Sequence, residues 1–106
     1  MNKGDIVLVP FPFTDLSSKK RRPALVLLSG NLDVVLAFIT TKLFYEEESS
    51  IVIDSSDETG LKKQSLIRLD KLVTLDKELV IGKLGEITDS KLSELNQKMI
   101  QLYRLI

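Results

Sequence analysis

Apolar and polar positions alternate between short runs and sharp stops over most of the chain. DIVLVP (Asp5–Pro10) is rich in β-branched residues and ends at proline, which predicts a strand. PFPFTDLSSKKRR (Pro10–Arg22) reads as a loop, because Pro10 and Pro12 remove two ladder donors. PALVLLS (Pro23–Ser29) predicts a second strand with proline at its first position, where it is tolerated. DVVLAFIT (Asp33–Thr40) predicts a third, apolar enough to be buried on both faces. After a charged excursion over Thr41–Ser50, SIVID (Ser50–Asp54) predicts a fourth strand, and SSDETG turns at Gly60. In QSLIRLDKLVTL (Gln64–Leu75) the alternation sets Leu66, Arg68 and Asp70 on one face and Ser65, Ile67 and Leu69 on the other. A kink or bulge is expected near Asp70–Lys71. ELVIGKLGEI (Glu78–Ile87) predicts a further strand weakened by Gly82 and Gly85.

The last segment has a different period. Leu92, Leu95, Met99, Leu102 and Ile106 recur at spacings of three and four, which predicts an amphipathic helix, with Thr88 as N-cap and Asp89 in the first turn. Short strands followed by one terminal helix point to a small β-barrel or sandwich closed by that helix. A length of 106 residues suits one domain, spanning residues 1–106, with no repeat or linker.

Composition narrows the chemistry. There is no cysteine and no histidine. Thiolate sites, disulfides and imidazole catalysis are excluded, and a zinc site would need carboxylates alone, so no metal or other cofactor is expected. No run is long enough to span a bilayer, and Asp5, Pro10 and Pro12 interrupt any secretory core, so a soluble, unprocessed, cytoplasmic protein without membrane association is expected. The net charge is zero but unevenly spread. Residues 1–42 carry six bases and three acids, residues 43–60 six acids and no base, and residues 61–106 nine bases and six acids. Lys19, Lys20, Arg21 and Arg22 stand side by side before Pro23, either as a solvated run or to meet a phosphate.

The stretches GDIVLVPFPFTD, KKRRPALVLLS, LAFITTKL, SLIRLDKLVTLDKELV and KLGEITDSKLSELNQKM, in this order, resemble the MazF/PemK toxins of bacterial toxin–antitoxin systems. The resemblance covers nearly the whole chain. It implies an SH3-like barrel with a C-terminal helix, a homodimer, and metal-independent, sequence-specific cleavage of single-stranded RNA, mostly messenger RNA. It also implies a cognate antitoxin whose acidic segment blocks the RNA site.

The family's active-site arginine before proline falls on Arg22, and the threonine closing the third strand on Thr40, with Thr41 beside it. The arginine and aspartate two residues apart that act in the PemK/Kid branch fall on Arg68 and Asp70; Ser65 matches a polar position near that site. The loop before Arg22 lacks the histidine that one branch places there. The expected catalytic set is therefore Arg22, Arg68, Asp70 and Thr40, with Lys19, Lys20, Arg21, Thr41 and Ser65 as RNA contacts. Arginines would clamp the phosphate, and Asp70 would be either the base or the residue that orients Arg68. Thr40 and Ser65 would hydrogen-bond phosphate or sugar, or serve the fold. Two other readings remain open: a non-catalytic toxin of this fold that binds DNA gyrase, and a degenerate homologue that keeps only antitoxin or RNA binding.

Overall fold

The computed structural model describes residues 1–11 and 20–106. Six strands form one antiparallel sheet: β1 (Asp5–Phe11), β2 (Lys20–Ser29), β3 (Asp33–Thr40), β4 (Ser50–Ile53), β5 (Ser65–Asp76) and β6 (Gly82–Glu86). Their order is β4-β5-β3-β2-β1-β6. The chain ends in helix α1 (Asp89–Leu102). This is the mainly β, barrel-like architecture with a terminal helix that the pattern predicts.

The apolar runs are dense because the curled sheet is packed on both faces. Ile6, Leu25, Ala37, Ile39, Ile51, Ile67 and Leu69 form one core, against which Leu92, Met99, Leu102 and Tyr103 pack. Val7, Val9, Ala24, Val26, Val34 and Leu36 form the other, covered partly by Val73, Leu79 and Val80. Burying one such side chain contributes about 1.5–3 kcal/mol, so strands serving two cores cannot keep a polar face. The Thr88 hydroxyl accepts a hydrogen bond from the Lys91 amide at 3.3 Å and caps α1 as expected. Ile106 lies beyond the helix in solvent, and the stripe ends at Leu102.

Three boundaries differ from the sequence reading. The two-proline stretch does not keep β1 and β2 apart: Val9, Pro10 and Phe11 pair with Arg22, Arg21 and Lys20. These three cations thus belong to a strand, since one proline removes a single donor and leaves its neighbours free to pair. The segment before β6 does not continue as strand. Lys77–Leu79 forms a 3-10 turn in which Asp76 accepts from the Glu78 amide, so β6 is confined to Gly82–Glu86. Glu47–Ser49 is also a 3-10 turn and is held to the helix, with Lys98 Nζ donating to the Glu47 carbonyl at 2.8 Å. The bulge in β5 falls where expected. Ala37 pairs with Leu72 but Phe38 pairs with Arg68, which leaves Leu69, Asp70 and Lys71 looped out of the ladder.

Candidate active site

Cross-strand register brings the two key arginines together. Phe38 on β3 lies between Ala24 of β2 and Arg68 of β5. Arg22 precedes Ala24 by two residues and therefore shares its face. The resulting cleft is lined by Phe11, Arg22, Phe38, Thr40, Lys42, Tyr45, Arg68 and Lys71, over a floor that includes Val9, Pro23, Ala24 and Ile39. Among the described residues, its charged lining is wholly cationic.

Each of three cations lies over an aromatic ring. The Arg68 guanidinium carbon is 3.9 Å from the Tyr45 ring centre, Arg22 is 5.4 Å from Phe11, and the Lys71 ammonium is 4.8 Å from Phe38. Such contacts contribute about 0.5–2 kcal/mol and fix where the charge sits. Arg68 is further held by Asp70: Nε donates to Oδ1 at 3.1 Å and Nη2 to Oδ2 at 3.0 Å. The Arg68 side chain is only 17% exposed.

The pair's electrostatics separate the two roles open to Asp70. The hydrogen bonds from Arg68 hold the Asp70 carboxyl below the usual carboxylate range, against the opposing effect of burial. The same hydrogen bonds, with a smaller contribution from Tyr45, raise Arg68. A carboxylate whose proton affinity is reduced is a weak base. Asp70 is not among the residues that line the cleft, and its two hydrogen bonds hold the Arg68 guanidinium.

Of the remaining expected residues, Thr40 lines the cleft, where its hydroxyl accepts from the Lys42 amide at 3.1 Å. Thr41 is exposed just past the end of β3, outside the cleft lining. Lys20 shares the strand face of Arg22, whereas Arg21 points to the other; both are exposed and neither lines the cleft. Lys19 lies outside the described residues. Ser65 is not brought to the cleft. It is 2% exposed and its hydroxyl donates to the Lys63 carbonyl at 3.0 Å, closing the approach to β5.

Sequence reasoning missed Phe38, Lys42, Tyr45 and Lys71. Phe38 pairs with Arg68 at one edge of the bulge and Lys71 lies in it, so they become visible only once its register is known. Tyr45 sits in the excursion that the sequence marks only as charged, where it stacks on Phe44 with ring centres 4.7 Å apart. Tyr103 was missed as well. Its hydroxyl donates to the carbonyl of Leu69, inside the bulge, at 2.5 Å. The end of α1 thus braces the segment between Arg68 and Asp70.

The family model for the PemK-like, MazF-like toxin of type II toxin–antitoxin systems matches residues 2–103. No curated protein gives a match. The fold is similar to that of an endoribonuclease in complex with its cognate antitoxin from a mycobacterial species, with 19% identity, a TM-score of 0.79, and coverage of 100% of this chain and 97% of that one. It is similar also to the Mycobacterium tuberculosis toxin MazF-mt6, with 19% identity, a TM-score of 0.77, and coverage of 94% and 96%. A further endoribonuclease from a mycobacterial species aligns at 20% identity and a TM-score of 0.72 over 95% of this chain and 88% of that one.

Proposed function

This chain belongs to the PemK-like, MazF-like toxin family of type II toxin–antitoxin systems, and from that premise we propose that it is an endoribonuclease that cleaves single-stranded RNA at specific sequences without a metal. The observation that carries the reading is the convergence of Arg22 and Arg68 in one cationic, aromatic-lined cleft. Guanidinium groups match the oxygens of a phosphodiester, and aromatic side chains can stack unpaired bases. The nucleophile is the RNA's own 2′-hydroxyl. Arg22 and Arg68 stabilise the charge that develops on phosphorus oxygens, Thr40 donates a hydrogen bond to one of them, and Asp70 holds Arg68 in place. Lys20, Arg21 and Thr41 flank the path of the strand, with Lys19 beside them in sequence. The protein works as a homodimer in the cytoplasm, and a cognate antitoxin neutralises it by laying an acidic segment across the cleft.

The test is incubation of the purified protein with a long RNA in EDTA, followed by mapping of the 5′ ends. Discrete cuts leaving 5′-hydroxyl ends are expected. Intact RNA at excess protein would overturn the reading, and inhibition of DNA gyrase in parallel would replace it with the non-catalytic one.

A further inference from the structure

Transesterification by a 2′-hydroxyl produces a 5′-alkoxide, which leaves poorly unless a proton reaches it. The chain has no histidine to supply one. Among the described residues, the cleft lining narrows the choice. Arg22 and Arg68 are guanidiniums, and Arg68 is held still more firmly protonated by Asp70. Thr40 is an alcohol no more acidic than the leaving group. Lys42 and Lys71 are exposed, and Lys71 lies over Phe38. Tyr45 is different. The residue lines the cleft, is half-buried, and its ring packs directly on the guanidinium that would hold the phosphate. A phenol is a stronger acid than an alcohol and can therefore give its proton to a departing alkoxide.

The geometry points to Tyr45 as the general acid that protonates the leaving 5′-oxygen in the cleft between Arg22 and Arg68. This inference rests on the endoribonuclease reading. In the step, the O2′–P bond forms and the P–O5′ bond breaks. The phenolic proton passes to O5′, which departs as a 5′-hydroxyl, and the 2′-hydroxyl proton goes to water. The products are a 2′,3′-cyclic phosphate and a 5′-hydroxyl end, and the phenolate regains its proton from water. A phosphate held by Arg68 would lie beside the ring that packs on that guanidinium at 3.9 Å.

The experiment uses two oligoribonucleotides that carry one cleavage site, one with the natural 5′-oxygen and one with a bridging 5′-sulfur. Sulfur leaves as a thiolate and needs no proton. Tyr45→Phe keeps the ring over Arg68 and removes only the hydroxyl. The expected result is a loss of about 100-fold or more on the oxygen linkage and a rate within a few-fold of wild type on the sulfur linkage. The sulfur-to-oxygen rate ratio is measured within each variant, so it does not depend on how much of the variant is folded. Lys42→Ala and Lys71→Ala should slow both linkages equally. Equal slowing of both by Tyr45→Phe, or no slowing of either, would overturn the assignment. Wild-type protein that cuts neither substrate would instead refute the endoribonuclease reading, and the inference with it.

Discussion

Arg22 and Arg68 face the same cleft but are mounted in opposite ways. Arg68 stands at the edge of a three-residue bulge, tied through two hydrogen bonds to Asp70, stacked on Tyr45 and mostly shielded from solvent. Arg22 stands in the regular β1–β2 ladder opposite Val9, is exposed, and leans on Phe11 at a looser 5.4 Å. The first arrangement fixes the charge before anything binds. The second leaves a long side chain to close on what arrives, at a cost in rotamer entropy. The proposed site thus pairs a guanidinium fixed by its neighbours with one that stands exposed on a strand.

Five substitutions break or sharpen that contrast, in order of decreasing effect. Arg68→Ala should lower kcat by about 100- to 1,000-fold with little change in KM, because a prepositioned donor acts on the transition state. Single-turnover RNA cleavage separates the two constants, and an effect on KM alone would place Arg68 with ordinary binding residues. Arg22→Ala should weaken RNA binding by roughly tenfold and reduce the slope of log K against log salt by about 0.7, the share of one phosphate on a single strand. Titration across a salt series reads this, and an unchanged slope would remove Arg22 from the phosphate.

Asp70→Asn should slow cleavage by roughly tenfold, since Arg68 loses its charged partner but keeps the Tyr45 ring. The pH profile of the wild type gives the sign. Asp70 is held below its unfolded value of about 3.9, so its contribution to stability is complete above that value and is lost as pH falls through the lower folded pKa. With its carboxylate 40% exposed, that contribution is about 1 kcal/mol at most. Cleavage should therefore show no carboxylate shoulder between about pH 5 and 7. A shoulder there that Asp70→Asn abolishes would restore the general-base role.

Tyr103→Phe should cost about 1 kcal/mol in denaturant unfolding and slow cleavage by a few-fold, with the salt slope unchanged. The smallest functional effect belongs to Thr88→Ala. It should lower stability by about 1 kcal/mol and leave RNA cleavage at the wild-type rate. Loss of cleavage without loss of stability in that variant would show that the start of α1, not only its end, reaches the cleft.

Much of this was readable along the chain because period and punctuation are local. The alternating runs, the proline at Pro23 and the cap at Thr88 specify strands and helix through near neighbours alone. The bulge could be placed near Asp70–Lys71 because two charged residues interrupt an apolar alternation. Pairing across strands is not local. That Phe38 stands between Ala24 and Arg68, and that Tyr45 folds back onto Arg68 from an acidic turn, follows from register and from the anchoring of that turn by Lys98. Ser65 shows the converse. Its polar type and its position suggested a contact with ligand, but on this doubly packed sheet the residue is consumed by the fold.

The hydrogen bond from Tyr103 to Leu69 joins residues 34 positions apart. The sheet and the end of α1 are therefore tied together at one backbone carbonyl, and a change that loosens that end of the helix is passed to the bulge through Leu69.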